Sequence, residues 1–282
     1  MSPARKLKQL ILVMAVAVLV AQSTEANTRD NFVLSGQSAF IITPTTAAEG
    51  NPWIAYAPAV GGLPNWNSSG GTGEEQWMFD QYLANGIAIA GIYAGDLNGN
   101  TDQRAGYTNL YNELVGNRGY AEKFSFHVRS RGGLLGYNWA ADNPNSVAAI
   151  GGIYSVSNLL SFPGFTQAQI DADQKLDNPI DRLDPLIANG ISVFHLHGDS
   201  DATVPLIDNN QIVKDYFDAN GGDATLKVIP GGGHDFAAHW WNDADLTNFL
   251  INQTLTAAVP EPSSLMILGL GGLCILQRRR SK

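Results

Sequence analysis

The sequence predicts a doubly wound α/β domain, a mostly parallel sheet with helices on both faces. Three observations point there. Short apolar runs, such as residues 53–57 (Trp-Ile-Ala-Tyr-Ala) and 87–93 (Ile-Ala-Ile-Ala-Gly-Ile-Tyr), read as strands covered on both sides. These runs alternate with segments of helical spacing. One strand, finally, passes into a helix across only four residues, Ser130-Arg131-Gly132-Gly133.

Taken in order, residues 32–44 read as a hairpin with Ser35 and Gly36 in its turn. Strand 53–57 is stopped by Pro58, and a Gly/Ser/Asn-rich loop runs to Gly73. Residues 74–84 carry Trp77, Met78, Tyr82 and Leu83 at helical spacing, with Gly86 as the stop. After strand 87–93 comes a polar loop, 94–106, and a helix over 107–115. Residues 122–129 place Phe124, Phe126 and Val128 at period two, and 134–141 is an apolar helix. A buried strand is expected at 146–156. Residues 157–178 are a longer excursion, expected to cap the site. A helix at 181–189, a strand at 191–197, a helix at 208–220, a strand at 224–229 and a helix at 243–255 complete the alternation. No internal repeat or dividing linker interrupts it.

Both ends read as processing signals around a domain at 27–258. Arg5, Lys6 and Lys8 precede an apolar run, 10–21, and then small residues with cleavage expected after Ser23 or Ala26; residues 1–26 form a secretory signal peptide. Residues 259–282 begin Val-Pro-Glu-Pro, continue as an apolar segment and finish with Arg278-Arg279-Arg280, a cluster that would stay cytoplasmic and anchor the tail transiently. That order resembles the PEP-CTERM sorting signal of bacteria that secrete a polysaccharide matrix. The resemblance implies an exosortase as partner and release to the cell surface or extracellular matrix.

The two ends hold seven basic and two acidic residues of the chain's 17 and 26, leaving 10 basic and 24 acidic, a net charge of −14. Such a surface repels nucleic acid and anionic membranes. The one cysteine, Cys274, lies in the tail, so the domain must be held by its core and not by disulfides.

A serine on a sharp strand-to-helix turn has its hydroxyl pushed clear of the backbone, at the positive end of a helix dipole. The nucleophile-elbow pattern is Gly-x-Ser-x-Gly; here it reads Val128-Arg129-Ser130-Arg131-Gly132. Valine in place of the first glycine is expected to crowd the helix against the strand. A serine needs a base, and the base an orienting carboxylate. Two loops after later strands offer them: His197-Gly198-Asp199-Ser200-Asp201, and Pro230-Gly231-Gly232-Gly233-His234.

With Ser130, Asp201 and His234 in that order, and with Tyr137-Asn138-Trp139-Ala140-Ala141 and Val204-Pro205 beside them, residues 32–255 resemble the α/β-hydrolases of dienelactone-hydrolase and prolyl-oligopeptidase type. The resemblance implies Ser130 as nucleophile, Asp201 (ahead of Asp199) as acid and His234 as base. It implies an oxyanion hole from the Arg131 N–H and, since Pro58 has none, the Ala59 N–H. Trp240 and Trp241, close behind the base, are expected to line the substrate pocket. Arg129 and Arg131 flank the nucleophile and either read an anionic substrate or pair with carboxylates. His195 and His197 share one face of an apolar strand and read as packing or support for the site, not as metal ligands. Asp96, Asn98, Asn100 and Asp102 alternate like a calcium loop but lack its glycine and glutamate positions, so a polar rim is expected. No metal or cofactor is called for. The expectation is a secreted serine hydrolase of carboxylic esters, with an esterified polysaccharide as a fitting substrate. A serine peptidase of prolyl-oligopeptidase type and a non-catalytic matrix protein on the same scaffold are the alternatives.

Overall fold

A computed structural model describes residues 26–58, 64–161 and 164–259. Eight strands form one sheet: β1 (Thr28–Leu34), β2 (Gln37–Thr43), β3 (Trp53–Ala57), β4 (Ala88–Ile92), β5 (Phe124–Arg129), β6 (Val147–Ile153), β7 (Ser192–Gly198) and β8 (Ala224–Ile229). The spatial order is β1-β2-β4-β3-β5-β6-β7-β8. β1 and β2 pair antiparallel, as do β2 and β4; every later pairing is parallel. The β1–β2 turn is the expected hairpin, with Ser35 and Gly36 at φ 48° and 81°. Since β3 lies between β4 and β5, the winding direction reverses there, and the crevice beyond the carboxyl ends of β3 and β5 is the switch point where such sheets place their sites.

The helices are α1 (Gln76–Ala84), α2 (Thr101–Tyr111), α3 (Gly132–Asp142), α4 (Gln167–Ala172), α5 (Asp184–Ala188), α6 (Asn210–Ala219), α7 (Ala238–Trp241) and α8 (Ala244–Ala258). Strand pleating sorts side chains onto two faces. Trp53, Ala55, Phe124, Phe126 and Val128 pack with Leu110 of α2, Trp139 of α3 and Phe217 of α6. Ile54, Tyr56, Ile89 and Leu196 pack with Phe79 of α1, Trp240 of α7 and Leu250 of α8. Both faces are dry, as double winding requires.

Three expected boundaries move. α2 starts at Thr101, inside the segment read as loop. Asn100 caps it by accepting from Gln103 N at 3.0 Å. Its polar first turns disguised it: Arg104 is buried because Asp142 and Asp177 pair with it at 2.8 and 2.7 Å. The helix ends in a wider π-helical turn, Asn112–Asn117. β6 stops at Ile153, since Tyr154 takes φ 35° and turns the chain toward the elbow. Residues 181–189 divide into a 3₁₀ turn, Pro179–Arg182, and the short α5.

Candidate active site

Ser130 follows β5 directly and has φ 48°, a left-handed conformation rare for a residue with a Cβ. Its N–H donates to Ile153 O at 3.0 Å, and its carbonyl accepts from Val156 N at 2.8 Å and Gly133 N at 3.0 Å. The strained turn is thus clamped between the end of β6 and the start of α3. Val128 does not crowd it. The space is conceded by the helix: a Cβ on Gly136 of α3 would lie 2.5 Å from Val128 Cγ1. The glycine missing from the strand side of the elbow has its counterpart on the helix side.

Ser130 Oγ lies 3.0 Å from His234 Nε2, and His234 Nδ1 lies 2.8 Å from Asp201 Oδ2. A carboxylate can only accept, so the proton sits on Nδ1 and leaves Nε2 to accept from the serine hydroxyl. The Asp201 side chain is fully buried and that of His234 is 20% exposed. Asp201 Oδ1 accepts from Thr203 N and Val204 N at 2.9 and 2.8 Å. Burial alone would raise the Asp201 carboxyl; the nearby His197 ring, 3.6 Å away, and hydrogen bonds from His234 and the Val204 amide outweigh it and hold the group well below the usual carboxylate range. Asp199 is elsewhere: exposed, it accepts from Gly231 N at 2.7 Å and so ties the start of the His234 loop to the acid loop.

The remaining predicted residues divide. The Arg131 backbone stands at the start of α3, and its side chain pairs with Asp96 at 2.6 Å. Ala59 lies outside the described residues, as do residues 1–25 and 260–282 with most of both terminal signals. Arg129 sits with its guanidinium 4.7 Å from the Phe236 ring centre and 5.6 Å from that of Trp241. Trp240 and Trp241 are 0% and 1% exposed, and of the two Trp241 reaches the wall of a cleft. Trp240 instead holds the base loop, donating from Nε1 to Asp235 Oδ1 at 2.7 Å. The exposed ring in this loop is Phe236, at the edge of that cleft of about 530 Å³, which also meets Trp77, Asp80, Trp241 and Asn242. The polar loop has other employment: Asp96 pairs with Arg131, Asn100 caps α2 and Asp102 pairs with Lys175. Residues 157–178 pack Leu159 and Ile170 against Leu134 and Val204, beside the start of α3 and the acid loop.

Sequence reasoning missed Tyr154, whose ring lies 4.4 Å from that of His234 and whose hydroxyl donates to Asp235 O at 2.8 Å. Its place directly after a parallel strand was the available signal. It also missed Asn210, at the start of α6, which donates to His197 Nδ1 at 2.8 Å; nothing in its sequence context marks it.

The PEP-CTERM protein-sorting motif matches residues 258–280. That motif implies exosortase processing and sorting to the bacterial cell surface. No curated protein sequence matches the chain. Solved structures do. A Klebsiella pneumoniae protein assigned as a dienelactone hydrolase superposes with a TM-score of 0.60 at 16% identity, over 84% of this chain and 100% of that one. Est1E from Butyrivibrio proteoclasticus gives 0.56 at 15%, over 81% and 99%. A puromycin-hydrolyzing peptidase of Mycobacterium tuberculosis gives 0.59 at 14%, over 84% of this chain but 40% of that one. At such identities the likeness is one of fold.

Proposed function

The chain has the α/β-hydrolase fold and carries a PEP-CTERM sorting motif, and from that premise we propose that it is an exported serine hydrolase of carboxylic esters. One observation carries the reading: a serine hydroxyl on a strained turn, 3.0 Å from an imidazole that a buried carboxylate orients at 2.8 Å. His234 takes the Ser130 proton as Oγ attacks the ester carbonyl. The developing oxyanion is held by the N–H of Arg131, with Ala59 as second donor. The protonated His234 then gives its proton to the leaving alkoxide, and the alcohol departs. Water, deprotonated by the same imidazole, attacks the acyl-enzyme and frees the acid and Ser130. Phe236 and Trp241, on the cleft beside the base loop, and Arg129, whose guanidinium lies against both rings, are the proposed substrate contacts, and Trp240 supports the loop from beneath.

An acetylated or otherwise esterified polysaccharide suits a protein sorted to the cell surface. In this reading residues 1–26 direct export, 27–258 are the hydrolase, and 259–282 are the sorting signal, which anchors transiently before an exosortase removes the residues after about Pro262. The chain spans 100% of the protein assigned as a dienelactone hydrolase but 40% of the peptidase, which supports esters over peptides. A panel of nitrophenyl esters of short acids, run beside aminoacyl anilides, tests this. Ester turnover with none on anilides is expected; anilide cleavage alone would replace the reading with a peptidase.

A further inference from the structure

We infer that His197 is a positioning residue for the acid: with a proton on Nε2 it pins the turn that presents Asp201, and a buried relay starting at Tyr137 locks it in that arrangement. This rests on the Ser130–His234–Asp201 reading.

Every hydrogen in the relay is dictated by its neighbours. The Asn210 amide oxygen can only accept, so Ser155 Oγ, at 3.0 Å, donates to it. The Asn210 Nδ2 therefore faces His197 Nδ1, at 2.8 Å, and donates. Whichever way this amide is turned, Val204 O, at 2.8 Å, can only accept and requires a proton on Nε2. Hence Nε2 carries the proton and donates to Val204 O; Asp201 Oδ2 lies 3.6 Å beyond, too far for a hydrogen bond but within reach of the N–H dipole. Ser155 has spent its one hydrogen, so it accepts from His195 Nδ1 at 3.2 Å, and His195 Nε2 accepts from the Tyr137 hydroxyl at 2.5 Å. Tyr137 is 1% exposed, and Ser155, His195, His197 and Asn210 are 0%. Room for the middle of the relay comes from Gly152, where a Cβ would lie 2.7 Å from both His195 Nδ1 and Ser155 Oγ.

The relay ends on the acid. Asp201 Oδ1 is gripped by the amides of Thr203 and Val204, and His197 grips the carbonyl of the same Val204. The turn is thus held from both sides while Oδ2 meets His234. His195 is neutral, since burial pushes it down to about 3.

The test measures kcat and KM for nitrophenyl acetate on the full chain, together with the low-field proton resonance of His234 Nδ1–H. His197→Leu should lower kcat about tenfold, the effect of losing one buried hydrogen bond, with KM within about twofold and the resonance shifted or broadened. His197→Gln, whose amide N–H reaches toward Val204 O, should recover most of the loss. A folded His197→Leu with wild-type kcat and resonance, or a His197→Gln no better than His197→Leu, overturns the inference. Should His197→Leu not fold, Asn210→Ala releases the lock on His197 and is read the same way, with unchanged kcat and resonance again contrary. Should the wild type turn over no ester, the hydrolase reading fails, and the resonance alone decides the role of His197: loss in the variants supports it and persistence overturns it.

Discussion

Val128 and Gly136 show how one residue's departure from a motif is absorbed by another eight positions on. In sequence the valine reads as a flaw in the elbow, because the elbow's glycine is expected on the strand. In space the requirement is only that strand and helix approach closely, and Gly136 meets it from α3. Val128→Gly therefore should not improve turnover. It deletes a fully buried side chain and should cost about 1–3 kcal/mol in denaturant unfolding, cavity and backbone entropy together. Gly136→Ala drives a methyl group into Val128 and should cost a similar amount by overpacking. The double variant Val128→Gly/Gly136→Ala should recover at least half of the summed loss; strict additivity would show that the two positions are not in contact. The meeting of Ser130, Asp201 and His234 was legible, because each stands in a loop directly after a strand. Asn210 and Tyr154 were not, because a hydrogen bond across 13 positions or a ring contact across 80 leaves no local pattern.

At the scale of elements, strands and their order of use were readable from apolar runs, and most helices from spacing. α2 was the exception, and its cause is specific. Its first turns hold Asp102, Gln103 and Arg104, which look like loop until Arg104 finds Asp142 on α3 and Asp177 in the excursion. One guanidinium ties three segments, and α2 in turn covers the sheet beside the elbow. Arg104→Ala should lower stability by about 1–3 kcal/mol, less than for an isolated buried pair because Arg182 also reaches both aspartates. A chemical melt with unchanged midpoint would contradict that role. The excursion was legible as long and irregular but not in its docking, since Leu159 and Ile170 find Leu134 and Val204 only once the sheet is assembled. Trp240 and Trp241 are buried for a related reason: the short α7 turns both rings into the core, with Trp241 still at the wall of the cleft beside Phe236.

For the whole molecule, two buried histidines set the acid limit. Burial pushes both His127 and His195 down to about 3, Arg129 adding to the effect on His127 and His197 to that on His195. Unfolded, each takes a proton below about 6.5, so the folded state is penalised as pH falls from there toward 3. At pH 5 the penalty is roughly 2 kcal/mol for each. The melting temperature should fall between pH 7.5 and pH 5, and His127→Phe, in a site walled by Tyr56, Phe79, Tyr82 and Trp241, should remove about half of that dependence. An undiminished slope would show that other groups govern it. Catalysis is the larger claim, and it depends on Ser130 being an activated nucleophile. The direct measurement is labelling of the purified protein with a fluorophosphonate, followed by mass mapping of the modified residue. Labelling of wild type at Ser130 is predicted, with none in Ser130→Ala, nearly none in His234→Ala, and a strong slowing in Asp201→Asn that Asp199→Asn does not match. A folded wild-type protein that never labels would contradict the account and leave a hydrolase scaffold without the chemistry.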